Sequence, residues 1–100
     1  MTELCLTLLC PPALEERVLD TLLMTSEISL FTSTATAAHG LAHDRLSATE
    51  QVLGLAKMTR IDALLPEEHK DKVIAMLRKV FQGAGLRYWF TSVIDAGEEL

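Results

Sequence analysis

Apolar residues alternate along the start of the chain and then change period. Leu4, Leu6 and Leu8 alternate with Cys5, Thr7 and Leu9, which predicts a strand with both sides largely apolar. Pro11 and Pro12 end that run, and proline suits the first turn of a helix. Leu14, Val18, Leu19, Leu22 and Leu23 then recur at helical spacing, behind Glu15 and Glu16 where the helix dipole favours negative charge. This helix fades around Thr25 and Ser26. Ile28 to Ala38 is dense in Thr and Ser around Phe31, has no helical charge pattern, and predicts a second strand. Gln51 to Leu65 predicts a long third strand, with Gly54 marking a bulge or a close backbone approach. Pro66 opens a second helix, with Glu67 and Glu68 in its first turn. Its apolar stripe is Ile74, Leu77, Val80 and Phe81; Arg78 and Lys79 sit near its end, and Gly83 and Gly85 stop it. Leu86 to Ile94 is a fourth strand, followed by an acidic tail.

The order βαββαβ contains an internal echo. "LLCPPALEERVLDTLL" and "ALLPEEHKDKVIAML" share a plan of strand end, proline, acidic pair and amphipathic helix. A strand–helix–strand unit used twice predicts an α+β, ferredoxin-like sandwich: a four-stranded antiparallel sheet with two helices on one face, over one domain, residues 1–100. Two helices leave the sheet's other face uncovered. Either face keeps large apolar groups, since Leu86, Tyr88, Phe90 and Ile94 oppose Trp89 and Val93 in the last strand, and Leu4, Leu6 and Leu8 oppose Cys5 and Leu9 in the first. Burying each such side chain is worth about 1.5–3 kcal/mol, so the face is expected to pack against further copies of the chain.

Composition narrows the function classes. Hydrophobic residues make up 49% of the chain, high for a small soluble monomer, which agrees with self-association. The formal net charge is −5 with no Lys/Arg cluster, so nucleic acid is not an expected partner. No apolar run reaches the roughly 18 residues of a membrane span, and the start lacks the basic region of a signal peptide. A cytoplasmic location is expected. Cys5 and Cys10, roughly 16 Å apart and on opposite faces if in a strand, are beyond disulfide reach and read as packing thiols.

The chemistry proceeds by elimination. A soft-metal chaperone of this fold needs C-x-x-C after its first strand, where this chain has "LLCPPA". An RNA-recognition surface needs aromatics on the central strands, and "GLAKMTRID" has none. No nucleophile has an obvious base, so an enzyme is not expected. Gly83-Ala84-Gly85 would let backbone approach a phosphate with Arg87 as counter-charge; a helix cap needs the same glycines. His39 and His43, with Asp44, form a donor set suited to zinc or another divalent transition metal ion; solvated histidines at a strand end are the alternative.

Four blocks together, "LCLTLLCPPALEE", "LFTSTATAAHG", "LSATEQVLG" and "GAGLRYWFTSVIDAG", resemble a small branch of the P-II-like superfamily encoded beside heavy-metal efflux pumps. The resemblance covers nearly the whole chain. It implies a homotrimer with inward-facing sheets. It also implies effectors, often adenine nucleotides, in clefts between subunits, and signalling through the loop between strands two and three. Here that loop runs from about His39 to Glu50, is short, and holds no tyrosine for nucleotidylation. Two expectations follow. In the first, the His39–His43 loop senses a metal ion and acts on a membrane efflux transporter component, binding more weakly as acid protonates imidazole. In the second, a nucleotide occupies the cleft at Gly83, Gly85 and Arg87, and the histidines are incidental.

Overall fold

A computed structural model of the chain describes residues 2–40 and 46–100. Strand β1 (Glu3–Cys10) leads through a 3-10 turn (Pro12–Leu14) into helix α1 (Glu15–Leu23). Strand β2 (Leu30–Ala38) follows, then a short helix α2 (Ala48–Leu53) and strand β3 (Ala56–Pro66). A second 3-10 turn (Glu67–His69), helix α3 (Lys70–Phe81) and strand β4 (Arg87–Val93) complete the order. The sequence echo is a structural one. Pro11 (φ −60°, ψ 146°) and Pro66 (φ −61°, ψ 140°) turn the backbone alike. Glu15 (−52°, −54°) and Lys70 (−53°, −54°) then enter their helices with the same dihedrals.

The sheet is antiparallel throughout, in the order β2-β3-β1-β4, so the ferredoxin-like α+β expectation holds. Strand alternation sends Leu4, Leu6, Leu8 and Cys10 to the helix side, opposite Leu65, Ala63, Ile61 and Thr59 in register. Val18 and Leu22 of α1 and Val73, Leu77 and Phe81 of α3 close this core. The two helices use equivalent positions of the echo, four residues apart in each. Leu23 and Val80, expected in the apolar stripes, are exposed. The faces that meet the sheet are set by Val18 and Leu22 with Leu19 beside them, and by Val73, Leu77 and Phe81 with Ile74 and Met76, and both exposed residues lie off those faces. Burial pushes the Cys10 thiol up, with the Glu15 charge adding to the effect, as befits a packing cysteine.

The long third strand needs correction. Gln51 to Leu53 belong to α2, and β3 starts only at Ala56. Ser47 caps α2: its Oγ accepts the Glu50 N–H, and Glu50 returns a carboxylate to the Ser47 N–H, a capping box. Gly54 is neither bulge nor strand residue. It ends the helix in the left-handed region at φ 71°, where glycine carries no Cβ penalty.

On the sheet's other face no element of the described chain packs. Its centre is polar: Thr7 Oγ1 donates to Asp62 Oδ1 at 2.7 Å, and Arg60 Nε sits 3.1 Å from Asp62 Oδ2. Partial burial pushes the Asp62 carboxyl up, but the Thr7 and Arg60 hydrogen bonds and the Arg60 charge outweigh it and hold the group below its usual range. A depressed folded-state pKa stabilises above the unfolded value of about 3.9, and that stability is lost as pH falls through the lower folded value. Asp62→Asn is therefore expected to lose about 1–2 kcal/mol at pH 7. It should also flatten the acid limb of stability against pH. Urea unfolding from pH 2.5 to 6 measures both, and parallel curves for the two proteins would refute the assignment.

Candidate functional site

The strand order brings four sequence-distant segments to one end of the sheet. There β1 ends, β2 ends, β3 begins and β4 begins, and a cleft of about 520 Å³ opens among them. Leu9, Pro11 and Pro12 give it an apolar wall from the end of β1, extended by Met58 of β3. Gly83, Gly85 and Arg87 come from the turn into β4, and His39 and Gly40 from the segment just past β2. Lys57 and Glu50 complete the charged part.

The turn at Gly83 rests on two left-handed glycines. Gly83 (φ 75°) and Gly85 (φ 79°) both lie in the left-handed region, and a Cβ placed on Gly83 would meet nothing within 4 Å. Its glycine is thus required by backbone conformation and not by crowding. The Ala84 N–H closes the turn on the Phe81 carbonyl at 3.0 Å. The helix-cap and phosphate-approach readings of Gly-Ala-Gly are therefore compatible: one turn ends α3 and lines the cleft. Arg87 makes no ion pair among the described residues and contributes a free positive charge.

Glu50 has the most constrained carboxylate in the cleft. Oε1 accepts the Ser47 N–H at 3.0 Å and Oε2 the Lys57 N–H at 2.9 Å. Those two backbone donors, foremost Ser47, hold its carboxyl below the usual range, so it is ionised at neutral pH. With Lys57 and Arg87 positive and Glu50 negative, the cleft carries a net positive charge on a chain of net charge −5. Such a local field favours a small anion with an apolar part to lie against Leu9, Pro11 and Met58.

The candidates named from sequence divide cleanly. Gly83, Gly85, Arg87 and His39 share this one cleft, although they were assigned to two different chemistries. His43 and Asp44 lie outside the described residues. Among the described residues no group of three His, Cys, Asp or Glu is placed to hold a metal ion. Sequence reasoning missed Glu50 and Lys57. The Ser47-x-x-Glu50 spacing of a capping box was the available signal for the first; Lys57 reads only as an outward strand position. Among the described residues no helix is long and apolar enough to cross a membrane.

Comparison with known proteins agrees with this architecture. The family described as "Protein of unknown function (DUF3240)" matches residues 1–99. A DUF3240 family protein from Shewanella baltica OS155 superposes with a TM-score of 0.81 at 17% identity, covering 100% of this chain and 99% of its own. A Bacillus cereus protein related to NIF3 gives 0.71 at 14% identity, covering 97% of this chain but 26% of its own. GlnK of B. subtilis, a P-II protein solved in complex with ATP, gives 0.63 at 12% identity over 92% of this chain and 82% of its own. At such identities these likenesses establish the fold, which is P-II-like. No curated protein matches the sequence.

Proposed function

This chain belongs to the DUF3240 family, and we propose that it is a non-enzymatic, P-II-like regulatory protein whose cleft senses a small phosphate-bearing anion, such as a nucleotide. One observation carries the reading: the Gly83–Gly85 turn, Arg87 and Lys57 converge at the base of the connection between β2 and β3. Glycine backbone and two cations supply what a phosphate needs, and the apolar wall suits a base or sugar. GlnK, which shares the fold, was solved with ATP, and this supports the choice of ligand class. Three copies joined by their open sheet faces would each present one cleft and one connection. The connection would carry the occupancy of the cleft to a partner at the cytoplasmic side. The resemblance to the branch encoded beside heavy-metal efflux pumps favours a membrane efflux transporter component as that partner.

Thermal shift across a panel of nucleoside phosphates tests the ligand. A ligand at a hundred times its Kd adds about 2.7 kcal/mol of stability. Arg87→Ala should weaken binding at least tenfold, as loss of a charge-assisted hydrogen bond predicts (about 1.5–3 kcal/mol). A panel without a shift, or equal affinity in Arg87→Ala, overturns the assignment.

His39 on the rim of the same cleft favours a second reading, in which a divalent metal ion binds His39 with His43 and Asp44 and orders the connection. Calorimetry with zinc, copper and nickel on wild type and on His39→Ala/His43→Ala separates it from the first. Equal heats from both proteins end the metal reading.

A further inference from the structure

We infer that Glu50 couples the cleft to α2: an anion seated beside Lys57 and Arg87 weakens the Glu50 clip and releases the segment from Ser47 to Leu55. This rests on the anion reading of the cleft. Five hydrogen bonds converge on Glu50. Its carboxylate takes the Ser47 and Lys57 N–H groups, its own N–H donates to Ser47 Oγ at 3.2 Å, and its carbonyl accepts from Gly54 at 2.8 Å and Leu55 at 3.2 Å. Four of these bonds lie within the segment. The fifth, to Lys57, crosses to β3, and its acceptor lines the cleft.

Among the described residues, little else holds the segment by packing. No residue of α2 is buried, and Val52 and Leu53 are 87% and 57% exposed. A six-residue helix is far too short to persist by propensity, so its local stability draws on the caps that Glu50 organises, alongside the Gln51 bonds to the Ser47 and Leu46 carbonyls. An anion drawn to Lys57 and Arg87 brings like charge into the cleft that the Glu50 carboxylate also lines. The anion therefore favours the state in which the clip is open. Linkage makes the effect reciprocal: whatever opens the clip must tighten the anion by the same factor. Opening also rearranges the exposed Val52–Leu53 pair, which gives occupancy of the cleft a surface readout.

Inorganic triphosphate is the probe, used on the full chain. In wild type, triphosphate should accelerate amide hydrogen exchange across residues 47–57. Glu50→Gln removes the charge and one of the two acceptors. It should bind triphosphate about 3- to 10-fold more tightly and exchange fast without ligand. Ser47→Ala weakens the clip while keeping the charge, and should tighten triphosphate about twofold. Equal or weaker binding by Glu50→Gln overturns the coupling. So does tighter binding by Glu50→Gln with unchanged affinity in Ser47→Ala and no ligand-dependent exchange, because Glu50 would then act by local charge alone. Absence of triphosphate binding in both wild type and Glu50→Gln overturns the cleft reading itself, and this inference with it.

Discussion

Leu6→Ala is expected to destabilise the fold by about 3 kcal/mol, within the 2–5 kcal/mol that such truncations cost in well-packed cores. Leu6 is fully buried at the centre of the helix-facing side, paired in register with Ala63 of β3 and Phe90 of β4. Ala63 is small and its backbone is fixed by ladders on both sides, so that neighbour cannot expand into the space left behind. The helices above are held by Val18, Leu22, Val73 and Leu77, which already occupy the same layer. The site therefore collapses poorly, and the cavity term adds to the lost transfer energy. In a domain of this length a loss of 3 kcal/mol lowers Tm by roughly 12–24 °C. Leu23→Ala, at a helix position that is 70% exposed, is the control and should stay within about 0.5 kcal/mol. Calorimetric scans at one protein concentration compare the three proteins. Similar losses for Leu6→Ala and Leu23→Ala would contradict the assignment of the helix-facing side.

That contrast shows which part of the fold the sequence made legible. Alternation in β1 and helical spacing in α1 and α3 report burial directly, so the elements that build the core announce themselves. The echo between residues 8–23 and 63–77 went further and marked both proline turns, although Glu67 and Glu68, expected in the first turn of a helix, lie in a 3-10 turn ahead of α3. What burial does not govern was misread. Val52, Leu53 and Leu55 look like the start of a buried strand, yet Val52 and Leu53 are exposed on α2. There the capping box at Ser47 and Glu50 and the left-handed Gly54 decide the backbone, and hydrophobicity carries no information. The cleft was legible only in pieces. Its residues come from positions 9 to 87, and their meeting depends on the strand order β2-β3-β1-β4. Single-residue chemistry could name Arg87 and His39 but had no means of placing them beside one another.

The proposed assembly makes the second large prediction, that Trp89→Asp converts a trimer into monomers. The register puts Trp89 opposite Thr7 on the sheet face away from the helices, where it remains 38% exposed in the single chain. Leu9 and Val93 are the half-buried apolar residues of the same face on β1 and β4, and Leu64 and the 59% exposed Leu30 lie across the polar Thr7–Asp62–Arg60 centre. A part-exposed tryptophan on an uncovered sheet face has the properties of an interface anchor, and its loss typically costs 2 kcal/mol or more. An introduced carboxylate adds a desolvation penalty at every interface it enters. At 2 kcal/mol each contact weakens by about 30-fold, and a ring of three contacts compounds that loss. Light scattering at micromolar concentration should give a three-chain mass for wild type and a one-chain mass for Trp89→Asp, with unchanged far-ultraviolet circular dichroism. Ile94→Asp, one residue past β4 and fully exposed, should keep the wild-type mass. A wild-type protein that is monomeric at this concentration would remove the trimer. The triphosphate experiments are a separate test, because they read the Glu50 clip and not the sheet face. Retained assembly in Trp89→Asp would instead move the interface off this face, onto an exposed edge such as β4, whose outward backbone groups have no strand partner among the described residues.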